Sequence, residues 1–265
     1  MTSNGRYALF FIVVLLSNIM QTITGFAGTV LAMPFSIILI GGDEARLILN
    51  ILGIAASIGV VILNHKSINW KEVLKICIVM AVGMAVGFVI IHFANVSKQI
   101  LYFILAGFVI LFTAIGIYTT FFKKEKELAE GEVDKYATLK EVALYAILLV
   151  AGVVHGMFVC GGPLLIIYAT KKLKDRDEFR STLSMVWIVL NTVNLVRDII
   201  AGAFTAENVG HLMIVLAISL AVLIVAIFAG NVVAKKLNKK AFMLITYILM
   251  VISAVSLILN ACGIF

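Results

Sequence analysis

Two stretches decide how this chain of 265 residues folds: TGFAGTVLAMP at 24–34 and HGMFVCGGP at 155–163. Each interrupts an apolar run too long for one membrane span, 7–41 in the first case and 141–170 in the second. Pro34 and Pro163, the only prolines in the sequence, fall at comparable places in the two runs. A second echo follows each. Asp43-Glu44-Ala45-Arg46 opens the next apolar run after the first, and Asp177-Glu178-Phe179-Arg180 opens the one after the second. A four-residue match says little alone. Glycine loops, prolines and helix starts matched in one order point to an internal duplication.

Composition sets the solvent. Hydrophobic residues make up 63% of the chain and charged residues 13%, too few charges to keep a soluble surface of this size wet. A net charge of +7 in such a chain reads as a cytoplasmic excess of Lys and Arg that fixes topology, not as a nucleic-acid footprint. Cys77, Cys160 and Cys262 sit in apolar runs with neither pairing nor metal-ligand spacing, so no disulfide, metal or cofactor is expected. Arg6 and the apolar run after it resemble the start of a signal peptide. No small-residue cleavage site follows, and the stretch reads as a first membrane helix that is retained.

Apolar runs fall at 7–41, 45–64, 72–94, 98–122, 141–170, 180–203, 208–234 and 241–262. The one long polar segment, 123–140, reads as a cytoplasmic linker between a first transmembrane repeat, 1–122, and a second, 141–265. Suppose each long run enters the membrane, breaks at its glycine loop and returns. Then 17 of the 21 basic residues lie on one side, and Arg6, Arg46 and Lys98 on the other. Single crossings would scatter the basic clusters at 171–180 and 235–240, so the positive-inside tendency favours hairpins, with both termini outside the cytoplasm. The piece at 29–41 is about 20 Å of helix, short for a span. One hairpin plus three transmembrane helices per half is an odd number of crossings. The expected fold is therefore an all-α integral membrane protein of two inverted repeats, each a broken helical hairpin and three transmembrane helices, in the cell membrane.

A broken helix inside a bilayer exposes backbone N–H and C=O groups that lipid cannot satisfy, so the break must be buried in protein or line a cavity. The short helices after the two loops would point their N-termini inward, where free N–H groups and the helix dipole attract anions. Asn18, Gln21, Thr22 and Gly25 form one helical stripe leading to the first break, and His155 and Cys160 accompany the second. The competing reading is that the glycines serve tight helix packing and the prolines are kinks. A lone His155 satisfying a buried carbonyl, and Cys160 as a small packing residue, belong to that reading.

A further polar stripe runs through Asn191, Asn194 and Asp198, with Arg197 beside them and Asn50 in a comparable region of the first half. Arg197 and Asp198 are the only charges expected well inside a span, and an intramembrane charge is a functional hypothesis by default. Arg197 lies about six residues, roughly 9 Å, from the expected outer helix end, within snorkelling reach, which favours a structural or interfacial pair. The amides are the better gating or coupling residues. Only Asp198 among the acids is placed to serve as a coupling carboxylate. A proton or sodium ion, the charge of the anion itself, or no coupling at all stay open.

The sequence Thr24-Gly25-Phe26-Ala27-Gly28 with Ala32-Met33-Pro34, and Gly156-Met157-Phe158 with Gly161-Gly162-Pro163-Leu164, resembles the paired signatures of the TauE/SafE family of sulfite exporters. The resemblance extends over essentially the whole chain. It implies a transporter of sulfite, thiosulfate, sulfoacetate and related organosulfonates, with substrate contacts from the backbone around Gly25, Phe26, Ala27, Gly28 and Thr29 and around Gly161, Gly162 and Pro163. The commonest form of the second motif carries another glycine where Val159 stands here, which implies a stiffer loop or one shaped for a different anion.

The leading expectation is a secondary transporter working by alternating access, with a small anion and the lipid bilayer as its partners. The substrate-contacting set is Gln21, Thr24 to Thr29, His155, Gly156 and Cys160 to Pro163. A carrier of small non-sulfur carboxylates would use the same geometry. A membrane enzyme would need clustered His, Asp or Glu, and His65, His92, His155 and His211 are scattered. An assembly subunit would show folding defects only, with no substrate-specific ones.

Overall fold

The computed structural model describes residues 3–24, 28–93, 97–118, 137–173 and 175–234, and scattered residues between 247 and 263. Nearly all are helical, with no strand among the described residues. The helices are α1 (Ser3–Thr24), α2 (Gly28–Ile40), α3 (Gly42–Asn64), α4 (Trp70–Phe93), α5 (Lys98–Ile117), α6 (Ala137–Phe158), α7 (Gly162–Lys172), α8 (Arg176–Ile200) and α9 (Val209–Ala234). Six of them, α1, α3, α4, α6, α8 and α9, are long and apolar enough to cross a membrane. The chain is a multi-pass membrane protein. Residues 123–136 of the polar segment and most of the run at 241–262 lie outside the described residues.

Local chemistry starts the helices where the charges stand. Asp175 accepts hydrogen bonds from the backbone N–H groups of Asp177 and Glu178, both at 2.9 Å, capping α8, and those two acids sit on its positive end. Asn69 does the same for α4, its Oδ1 accepting from the Glu72 N–H at 3.1 Å. Between α2 and α3 the chain turns through Gly41 at φ 87°, where a side chain would be strained. Away from these ends the outer faces are apolar and bare: Ile62, Phe93, Ile200 and Phe228 are each more than two-thirds exposed. In water that surface would aggregate; in lipid it is solvated.

The helices pair in a regular way. On α4 and α6, the glycine pairs Gly83/Gly87 and Gly152/Gly156 face one another. A Cβ on Gly152 would fall on the backbone of Met80, and one on Gly156 would come within 2.8 Å of the Met84 carbonyl oxygen. Small residues thus let the two backbones touch, and the paired residue numbers rise together, so the helices are parallel. α1 and α9 are also parallel, joined by Tyr7 to His211 at one end and by Gly230 against Thr22 towards the other. α3 and α8 pack antiparallel: Arg46 meets Asp198, Asn50 meets Asn191, and beyond the end of α3 Asn69 meets Glu178. Polar residues recur at identical intervals, Arg46, Asn50, Ser57 and Asn64 on α3, and Arg180, Ser184, Asn191 and Asp198 on α8, with Gly53 and Trp187 at corresponding places between them.

The start of α1 and the end of α2 share one recess, lined by Arg6, Tyr7 and residues 37–41. Lys172 at the end of α7 pairs with Glu141 near the start of α6, at 2.8 Å. Both short helices therefore turn back beside the helix that precedes them. The prolines are not equivalent, contrary to the sequence expectation. Pro163 occupies the first turn of α7, where a missing N–H costs nothing, whereas Pro34 lies inside α2 and removes a helix hydrogen bond. The helix starts Gly28 and Gly162 are the matching landmarks.

Candidate functional site

The second break is built by one unusual residue. α6 ends at Phe158, and Val159 adopts φ 57°, the left-handed conformation that closes many helices, with its N–H bonded to the His155 carbonyl at 2.8 Å. Glycine takes this conformation freely. A β-branched valine does so at about 1–2 kcal/mol of strain. After the turn, Gly161 lies so close to α6 that a Cβ would be 2.7 Å from the Cβ of His155.

At the first break Gln21 reaches across the start of α2: a Cβ on Gly28 would land on the Gln21 amide. The other polar groups of that stripe are satisfied within α1, Asn18 donating to the Val14 carbonyl and Thr22 to the Asn18 carbonyl, each at 2.8 Å. Gln21 alone among them turns to the break. The two breaks meet, with the Cys160 thiol 3.9 Å from the Thr29 carbonyl oxygen. Between them lies a cavity of about 20 Å³ lined by Gln21, Thr29, Val30, His155, Val159, Gly162, Trp187 and Asn191. That is room for about one water-sized group.

Among the described residues, no Asp, Glu, Lys or Arg lines this cavity. Its polarity comes from the amides of Gln21 and Asn191, the His155 ring and the open N-terminal backbones of α2 and α7. His155 is buried, its ring 5.3 Å from that of Trp187, and neither ring nitrogen has a hydrogen-bond partner. The amide oxygens of Asn50, Asn191 and Asn194 are likewise buried and unpartnered. Their nitrogens are spoken for in two cases: Asn50 Nδ2 donates to the Asn191 carbonyl at 2.9 Å, and Asn194 Nδ2 to the His155 carbonyl at 3.4 Å. Such a collection of unused buried polar atoms is expensive unless something comes to use it.

Of the residues singled out in the sequence, Gln21, Thr29, His155, Gly162 and Asn191 line the cavity, while Gly28, Cys160 and Gly161 pack against the lining residues Gln21, Thr29 and His155 respectively. Asn50 and Asn194 stand one layer behind it. Gly156 faces away, in the α4/α6 seam. Gly25, Phe26 and Ala27 lie outside the described residues, as do the side chains of Thr24 and Pro163. Val30, Val159 and Trp187 are additions; Trp187 sits four residues before Asn191 on the same stripe, which was the signal available for it.

The charged pair also differs from expectation. Arg197 and Asp198 are close to the end of α8, and Asp198 is buried there, one carboxylate oxygen accepting a hydrogen bond from Arg197 at 2.8 Å and ion-paired with Arg46 at 2.8 Å. Arg46, expected on the open outer side, is drawn in because Asp198 cannot be buried unpaired. Arg197 lies over the Phe88 ring at 5.2 Å. Asp198 is not alone among buried acids either. Glu72 is buried at the opposite end, receiving hydrogen bonds from Tyr168 at 2.8 Å and Lys75 at 2.7 Å.

A family model described as sulfite exporter TauE/SafE matches residues 9–257, which takes in both breaks and every cavity residue. No curated protein and no solved structure matches the chain. Coverage of that extent leaves one assignment: the chain belongs to the TauE/SafE family of sulfite exporters, membrane transporters of small anions.

Proposed function

We propose that the chain is a secondary transporter of small sulfur-containing anions, of the class of sulfite, thiosulfate, sulfoacetate and other organosulfonates. The anion is held about midway across the membrane between the N-termini of α2 and α7. The observation that carries this reading is the cavity where the two breaks meet, polar, unpartnered and, among the described residues, lined by no Asp, Glu, Lys or Arg. Backbone dipoles and neutral donors suit an anion that must also leave again. Gln21 and Asn191 amides and the His155 ring take its oxygens, and Trp187 closes one wall.

Two inverted repeats, divided by the polar segment at 123–140, supply the motion. In support, the matched starts Asp43 to Arg46 and Asp177 to Arg180 open helices that run antiparallel, and α1 pairs with α9 as α6 pairs with α4. A cavity of about 20 Å³ is too small for a sulfite ion, as befits a state closed to both sides. Rocking of one repeat against the other would open it to one face at a time. Both termini then lie outside the cytoplasm, and the basic clusters inside.

The test is uptake or counterflow of labelled sulfite, thiosulfate, sulfoacetate and acetate into proteoliposomes, with and without a pH gradient. Sulfur anions should move and saturate. If acetate moves and the sulfur anions do not, the substrate class is wrong; if none moves, the transport reading fails.

A further inference from the structure

Because α3 and α8 are antiparallel and carry polar residues at the same intervals, the two helices place one arginine at each end of their shared seam. Arg46 stands seven residues, about 10 Å of helix, before Gly53, where an added Cβ would be 2.6 Å from the Asn191 amide at the cavity. Arg180 stands the same distance before Trp187, which lines the cavity from the other side. The ends are finished differently. At the Arg46 end, Asp198 holds the guanidinium at 2.8 Å. The matching position on α3 is Asn64, which is neutral and donates to its own helix at Val60. No carboxylate among the described residues lies within ion-pairing distance of Arg180. The nearby acid Glu178 is turned to Asn69 instead, at 2.8 Å. The Arg180 Nε–H is buried and has no hydrogen-bond partner, as is also true of Arg46 Nε; what separates the two ends is the carboxylate beside Arg46, with none among the described residues beside Arg180.

A guanidinium is always charged, and a buried donor left unused on one is a costly arrangement. Its fork geometry fits two oxygens of one oxyanion. We propose that Arg180 is an anion-binding residue at the mouth of the pathway opposite Asp198, capturing the sulfur oxyanion before it passes along the α3/α8 seam to the cavity. This rests on the transport reading above and adds to it a second, outlying site. It also makes the two mouths unlike: an anion arriving at Arg46 must compete with Asp198, and one arriving at Arg180 meets no rival.

The experiment compares wild type, R180Q and R180K, full-length and in proteoliposomes, by the concentration dependence of labelled sulfite counterflow. Thermal unfolding in detergent is measured alongside. Loss of a charge-assisted contact predicts a KM raised about tenfold in R180Q. R180K keeps the charge and loses the fork, so its KM should rise only about threefold, with an unfolding temperature near that of wild type. An unchanged KM in R180Q overturns the assignment and leaves the transport reading standing. Equal loss of rate in both variants, with lowered unfolding temperature and unchanged KM, marks Arg180 as structural and overturns it too. If R180Q does not fold, R180K decides: a raised KM supports the site and an unchanged one removes it. Wild-type protein that moves none of the four anions removes the transport reading and this site together.

Discussion

The two helix breaks are built with different chemistry. At the first, the Gln21 side chain lies over Gly28, where any Cβ would have to displace it; at the second, a valine is held in a glycine's conformation, and the proline sits where it disturbs nothing. Gln21 and His155 nevertheless reach the same cavity from opposite sides. The two breaks thus open the backbone onto one cavity while presenting different side chains to it. The same contrast appears in the seams. The α4/α6 contact is backbone against backbone, and at the α1/α9 contact the first thing a Cβ on Gly230 would meet is the Thr22 side chain.

The seams give the largest expected effect. Gly152→Val has no side chain to push aside on α4, so little folded protein should survive, judged by a monodisperse peak in detergent. Gly230→Ala should fold, with a loss of about 1–3 kcal/mol from overpacking. Equal tolerance at both positions would break the distinction. Next comes Asp198→Asn, which leaves Arg46 and Arg197 facing each other without their carboxylate. A loss of about 3 kcal/mol is expected, read from denaturation in detergent. Glu72→Gln should cost less, since Lys75 is half exposed and the Tyr168 hydroxyl can still donate.

At the site itself, His155→Gln keeps a polar group but changes its reach, and should lower kcat/KM for sulfite about tenfold or more. Its unfolding temperature should change little, because two buried amide atoms replace two orphaned ring nitrogens. The smallest effect belongs to Val159→Gly. Relief of about 1–2 kcal/mol of left-handed strain is offset by loss of a buried side chain, about 1.5–3 kcal/mol. Stability should shift by between about 0.5 kcal/mol of gain and about 2 kcal/mol of loss, while the enlarged cavity admits bulkier sulfonates, measured as competition against labelled sulfite.

Much of this was legible because lipid removes options. With no water to satisfy open backbone, TGFAG and HGMFVCGGP announced breaks that had to be buried. The prolines misled, since a proline inside a helix and one in its first turn look alike in a string of letters. Glycines misled in the same way. Gly156 was grouped with Gly161 and Gly162 by proximity, yet it lies on the α6 face turned to α4, together with Gly152. Had the pairs Gly83/Gly87 and Gly152/Gly156 been read at helical spacing, that seam was visible. Trp187, four residues before Asn191, could have been read from the same stripe. Arg46 was missed for a deeper reason: its role depends on Asp198, far away in sequence, and no local pattern carries that information.

The central claim is that both halves build one anion site, and a double-mutant cycle across the breaks tests it directly. Sulfite counterflow would be measured for wild type, Gln21→Ala, His155→Ala and the pair, with KM as the readout. Two side chains on one anion should be coupled, the combined change departing from the sum of the single changes by at least about 0.5 kcal/mol. Strict additivity, within about 0.3 kcal/mol, would mean that the two breaks do not share a ligand.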